Sequence, residues 1–158
     1  MKKYIACLFC LIASFTKANA QLFVGGTFGA EYRYEVFNLK IKPSVGYEFN
    51  DRWAVGLGLG MAVVEKEVLG LVNPYVRFNC WNNNKFFIDA KASAEIGFKN
   101  EYSQTLVGLM PSMRYAINDN WQFVADVGVF GVDIIDGEVK PAIGLTVANV
   151  ELTIVYKF

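Results

Sequence analysis

The chain has 158 residues, 54% of them hydrophobic, with 15 basic and 15 acidic residues and no histidine. That length allows one domain, the even charge balance offers nothing to attract nucleic acid, and the lack of histidine removes the side chain most used for proton transfer near neutral pH. Lys2 and Lys3, the apolar stretch from Tyr4 to Phe15 and the small residues Ala18-Asn19-Ala20 predict a cleaved secretory signal over 1–20 and a mature domain over 21–158. The apolar run is shorter than the ~20 residues that a spanning helix needs. Without the leader, twelve basic residues face fifteen acidic ones, a formal charge of −3, and Cys80 is the only cysteine, so no internal disulfide can form.

From Gln21 onward there is no helical periodicity, and apolar and polar residues alternate in successive segments of strand length. The first sets Leu22, Val24, Phe28, Ala30 and Tyr32 against Gly25, Thr27, Gly29, Glu31 and Arg33. The second sets Leu39, Ile41, Pro43, Val45, Tyr47 and Phe49 against Lys40, Lys42, Ser44, Gly46 and Glu48, and Asn50-Asp51-Arg52 then turns the chain. The third sets Trp53, Val55, Leu57, Leu59, Met61 and Val63 against Ala54, Gly56, Gly58, Gly60 and Ala62. After a polar loop at Glu65-Lys66-Glu67, the fourth sets Val72, Pro74, Val76 and Phe78 against Asn73, Tyr75, Arg77 and Asn79, and Asn82-Asn83-Asn84 turns. The fifth runs from Lys85 to Phe98 with Asp89, Lys91 and Glu95 on its polar face. A loop at Lys99 to Tyr102 leads to the sixth, with Val107, Leu109, Pro111, Met113, Tyr115 and Ile117 opposite Gln104, Gly108, Ser112, Arg114 and Ala116. Asn118-Asp119-Asn120 turns again. The seventh places Trp121, Phe123, Ala125, Val127 and Val129 opposite Gln122, Asp126 and Gly128, and a last long loop spans Asp133 to Glu138.

A loose repeat runs through these segments: Pro43, Pro74, Pro111 and Pro141 each begin a run with apolar residues at every second place, spaced 31, 37 and 30 residues apart. That is one strand hairpin each, so four hairpins and eight strands. Proline is disfavoured where both neighbours pair, which places the four near one rim. The apolar face changes parity between Val147 and Val150, so either a bulge at Ala148-Asn149 interrupts a long eighth strand or a turn there starts another, giving a ten-strand alternative. Val150 to Phe158 alternates cleanly, with Tyr156 and Phe158 on the apolar face.

Period two alone does not say which face is inside. The polar face of the third segment, Ala and Gly throughout, suits a crowded lumen and not a solvated surface. The lumen would then hold Glu31, Arg33, Lys40, Lys42, Glu48, Arg77, Asp89, Lys91, Glu95, Arg114 and Asp126, with Lys140, Glu151 and Lys157, while the other face is nearly free of charge, as lipid demands. Phe49, Trp53, Trp81, Phe86 and Trp121 flank the short turns and, with Tyr156 and Phe158, read as an aromatic girdle at one membrane interface. The expected fold is all-β: a transmembrane antiparallel up-and-down barrel of eight strands.

On the signal ending at Ala20, the Gly25-Gly26-Thr27-Phe28-Gly29 opening strand, Pro43-Ser44-Val45-Gly46-Tyr47 and the terminal Tyr156-Lys157-Phe158, the chain resembles the small outer-membrane β-barrel family of Gram-negative bacteria, which includes outer membrane proteins A, X and W. The resemblance covers 21–158. It implies location in the cell outer membrane, contact with outer-membrane lipid, and reading of Tyr156 and Phe158 by the outer-membrane insertion machinery during assembly.

An enzyme is not expected: the histidine-based dyads of barrel hydrolases are excluded, Cys80 has no activating partner and reads as a small buried filler, and Glu65-Lys66-Glu67 and Asp133 to Asp136 read as solvated loop charges and not a metal site. No cofactor is implied. Two functions remain. In one, lumenal acids and bases pair and plug the barrel, which is structural or meets an extracellular ligand through its loops, although those at Val36 to Asn38 are short. In the other, the glycine wall and a slight basic excess line a narrow passive channel for small anionic or amphiphilic solutes.

Overall fold

The computed structural model describes residues 20–33, 36–64, 67–99, 102–144 and 149–158. The predicted signal therefore lies outside the described residues, apart from residue 20. Ten strands follow in chain order: β1 (Gln21–Arg33), β2 (Val36–Glu48), β3 (Trp53–Val64), β4 (Glu67–Asn83), β5 (Phe86–Lys99), β6 (Tyr102–Ala116), β7 (Trp121–Val127), β8 (Val129–Ile135), β9 (Glu138–Gly144) and β10 (Asn149–Lys157). Each of β1 to β6 pairs antiparallel with the next, and β10 lies between β7 and β1, so eight strands close a ring.

β8 and β9 prolong two of those eight. β8 pairs with β6, the strand that β7 also pairs with, and β9 pairs antiparallel with β8. β9 and β10 thus run in one direction. The parity change predicted near Ala148 falls in 144–149: outward residues are odd at Val139 and Ile143 and even at Leu152 and Ile154. Residues 145–148 themselves lie outside the described residues.

A second parity change was not expected. Between Ser112↔Asp126 and Leu109↔Phe130 the seventh segment carries one extra residue, at Gly128 with φ 75°. This bulge turns the next side chain over, so Val129, expected on the outer face, is 3% exposed inside the barrel.

Connections are short at both rims. One rim holds residues 49–52, 84–85 and 117–120 together with Gln21 and Phe158; here it is called the turn rim. Two of its turns use the same local device: Asn50 Oδ1 accepts from the N–H groups of Arg52 and Trp53, and Asn118 Oδ1 from those of Asn120 and Trp121. The opposite, tip rim was expected to carry the longer loops, but the ladders run almost to the hairpin ends. Val36 to Asn38 pair with Glu31 to Arg33. Lys99 pairs with Tyr102, and Ile135 with Glu138. Asp136 (φ 49°) and Gly137 (φ 87°) form a two-residue turn in the left-handed conformation that such tight hairpins require.

The prolines do not mark a rim either. Pro43, Pro74, Pro111 and Pro141 all sit inside strands. On one side of each the ladder lapses: the β2–β3 register skips from Ile41 to Ser44, β4–β5 from Val72 to Tyr75, and Pro111 faces the Gly128 bulge. β9, which carries Pro141, has no ladder but that with β8 among the described residues. The missing N–H is placed where no partner needs it.

Close approach of β2 and β3 depends on Gly60, where a Cβ would lie 2.1 Å from the Ile41 carbonyl oxygen; at Gly58 the nearest atom would be 3.5 Å away. Gly60→Ala should therefore cost about 1–3 kcal/mol, whereas Gly58→Ala should stay within about 0.5 kcal/mol, as read from urea unfolding of the refolded protein in micelles.

Candidate functional site

Among the described residues, charged side chains converge away from solvent in the lumen. Inward positions are odd on β1, β4, β5 and β10 and even on β2, β3, β6 and β7. Each strand therefore delivers its polar residues to the same interior.

Nearest the turn rim, Glu48 accepts from Arg77 Nη2 at 2.5 Å and from Lys157 Nζ at 2.5 Å. Asp89, 1% exposed, accepts two bonds from Arg114, Nε at 2.8 Å and Nη2 at 3.2 Å, and one from Asn79 at 2.7 Å. Arg114 also donates to Gln122 Oε1 at 3.2 Å. Farther in, Lys42 bridges Glu95 at 2.5 Å and Glu151 at 2.9 Å. Lys40 joins Glu95, while Lys91 and Ser112 both donate to Asp126. Buried charges are tolerable only when paired and hydrogen-bonded in this way.

Aromatic and apolar side chains lie between and around these pairs. Phe23 is wholly buried with Ala54, Val124 and Val155, and Tyr75 packs against them. Their rings occupy the space that glycines leave: a Cβ at Gly46 would lie 2.2 Å from Phe23, and one at Gly56 2.3 Å from Tyr75. Cations cover the rings in turn, Arg77 over Phe23 at 5.5 Å, Lys91 over Tyr75 at 5.5 Å and Arg114 over Phe87 at 4.1 Å. Toward the tip rim Leu106, Met110, Val129 and Ala142 form a second apolar cluster. Asp133, fully buried and bound twice by Gln104 Nε2, sits on β8 inside the barrel, not in a solvated loop. Among the described residues, a cavity between Thr27, Lys42, Arg77, Lys91 and Asp126 in the lumen measures about 30 Å³.

The outer wall is the inverse. Phe28, Ile41, Leu59, Met61, Leu109, Ile117 and Ile154 are each more than half exposed, on five different strands or their ends. An apolar exterior around a charged interior suits hydrocarbon as the solvent, with every strand paired to avoid bare backbone in it. The barrel is a transmembrane one. Trp53, Trp81, Phe86, Trp121 and Phe158 stand exposed around the turn rim. Trp121 packs edge-on to Tyr156, Tyr156 to Phe158, and Phe49 to Tyr47, at centroid distances of 5.0, 5.1 and 5.3 Å.

No family model matches the sequence, and no curated protein matches it. Among solved structures, one described as "De novo design of transmembrane beta-barrels" resembles the chain with a TM-score of 0.48 and 13% identity, covering 90% of this chain and 98% of that one. The transmembrane reading rests on the two faces of the wall.

Of the residues expected in the lumen, Lys40, Lys42, Glu48, Arg77, Asp89, Lys91, Glu95, Arg114 and Asp126 are buried there, with Lys157. The side chains of Glu31 and Arg33 lie outside the described residues. Lys140 is at the tip rim, its side chain 44% exposed beside Glu138. Cys80 is exposed and not a buried filler, because it points outward beside the bulge at Asn79/Trp81. Ser112 and Gln122 are buried on the polar faces where alternation puts them, whereas Phe23 and Asp133 lie in the lumen unexpectedly. Phe23 shares its odd parity with Gly25 and Thr27, which was the available sign that it faces inward. Among the described residues no group of three or more His, Cys, Asp or Glu side chains could hold a metal ion.

Glu95→Gln leaves Lys40 and Lys42 short of a carboxylate and should cost about 3–5 kcal/mol in urea unfolding, while Glu138→Gln at the exposed rim should change stability by less than about 0.5 kcal/mol. Lipids brominated near the headgroup should quench Trp53, Trp81 and Trp121 more than lipids brominated near the acyl end, since all three sit at one interface.

Proposed function

We propose that this chain is a non-enzymatic outer-membrane protein of a Gram-negative bacterium whose barrel is plugged by its own side chains and serves a structural role at the cell surface. The observation that carries this is the filling of the described lumen: paired charges and ring-on-glycine packing narrow the space between Thr27, Lys42, Arg77, Lys91 and Asp126 to about 30 Å³, room for a water-sized body and not for a passing solute. An eight-stranded ring has an interior that side chains just fill. The glycines of β3 that favoured a channel instead receive Tyr75 and the backbone of β2. Outer-membrane lipid and the insertion machinery, which would read Tyr156 and Phe158, are the partners this role requires.

A surface-interaction role is the second reading, and one observation favours it. β9 is laddered on one side only among the described residues, and its outward Val139 and Ile143 are 67% and 75% exposed. An extracellular ligand would then be met by strand backbone and not by long loops.

The refolded mature protein should be silent in a planar lipid bilayer, its folding verified by a heat-dependent shift in gel mobility. Salt-dependent current steps would overturn the plug. Replacing Arg77 and Arg114 with Met should lower stability without opening any flux, whereas altered ion selectivity would mean that they line a pore.

A further inference from the structure

We infer that the outer wall carries a seat for one acyl chain of a glycerophospholipid, taken from the leaflet at the turn rim. The inference rests on the transmembrane wall and not on the plugged lumen. Most of the exposed side chains on that wall are large, Leu, Ile, Val, Phe or Met, but the middle of β5 presents Ala90, Ala92 and Ala94 between Ile88 and Ile96. Their ladder partners stand higher: Val76 faces Ala92 from β4, and Leu109 and Val107 face Ala92 and Ala94 from β6. The result is a furrow of about 640 Å³ with apolar walls, opened by Val55 and Val76, floored by Ala92 and Ala94, and closed by Leu109 and Phe130.

Its course and length suit a lipid chain. It begins one outward step from Trp53 and Phe78, whose ring centroids lie 4.7 Å apart at the turn rim, and climbs to Leu109, midway along β6. From β3 to β8 it crosses four strand spacings, about 19 Å, against about 15 Å for the half-thickness of hydrocarbon that one lipid chain spans. The medium around the wall is hydrocarbon, and a hollow left empty would forfeit dispersion contacts along its lining. A second copy of the chain is a poor occupant, because a two-fold pairing would set furrow against furrow and enclose a void. The mouth also offers a charge for the headgroup. Arg52 is exposed in the turn between β2 and β3, and its carbonyl accepts from the Asn79 N–H at 2.7 Å, which holds that turn beside the seam of β3 and β4 where the furrow starts. Its guanidinium supplies the partner for a lipid phosphate at the level of the aromatic girdle.

The test is native mass spectrometry of the full refolded protein, released from micelles doped with phosphatidylglycerol, its folding verified by the heat-dependent gel shift. One phospholipid retained per barrel is expected. Ala92→Leu combined with Ala94→Leu fills the furrow with a residue type common on the rest of the wall, and retention should fall about tenfold, as for two methylene groups lifted out of contact. Ala125→Leu, at an outward alanine of β7 away from the furrow, should leave retention unchanged. Arg52→Gln should lower retention of phosphatidylglycerol and leave that of an uncharged diacylglycerol as it was. No lipid above the detergent background, or retention that the filled furrow does not reduce, would overturn the inference. Dimers that disappear in the same double variant would overturn it in favour of a second copy. Should the double variant fail to fold, Ala94→Val alone decides by the same comparison. Current in bilayer recordings would overturn the plugged lumen and leave this seat untouched, so the two readings fail separately.

Discussion

Hydrocarbon on the outside sets the terms for everything within this barrel. A charged side chain on the outer wall would have no partner and no water, so each strand sends its charges to the interior. There they crowd into a space bounded by eight strands. The interior can be dry only if each acid finds a base, and the bases found are Lys40, Lys42, Arg77, Lys91, Arg114 and Lys157. Polar residues that would be surface decoration on a soluble protein are here the core.

The same constraint explains the glycines. An interior filled by long cations also has to hold Phe23 and Tyr75, and two large rings fit only where the facing strand has no side chain, at Gly46 and Gly56. The wall and its filling are complementary, so a passage inferred from the wall alone is an incomplete reading. Polar and aromatic layers then support each other, because each ring also presents a face to a cation.

Much of this was legible in the sequence for one reason: the period of a strand is two, and a membrane sharpens the contrast between its faces. Lys40, Lys42 and Glu48 share even parity, Arg77, Asp89, Lys91 and Glu95 share odd parity, and each set faces inward. What failed were the positions where the register slips or the chemistry breaks the code. The bulge at Gly128 reverses Val129 and buries Asp133, and a single glycine gives no warning of it. Phe23, Leu106 and Val155 are apolar residues on the polar face, which alternation hides by construction. At the rims polarity is a poor guide to loops, because strands that leave the membrane become polar and stay paired. Which acid meets which base depends on barrel stagger, and no local pattern encodes that.

Several of these ion pairs join strands that share no ladder. Lys42 on β2 reaches Glu95 on β5 and Glu151 on β10, and Glu48 on β2 holds Arg77 on β4 and Lys157 on β10. Ladders alone make a hoop, which resists stretching around its circumference but flattens easily. These bridges cross the hoop as spokes cross a wheel. A barrel so braced keeps a round cross-section when the lateral pressure of the bilayer changes, and its outline in the membrane is set by its interior chemistry as much as by its backbone.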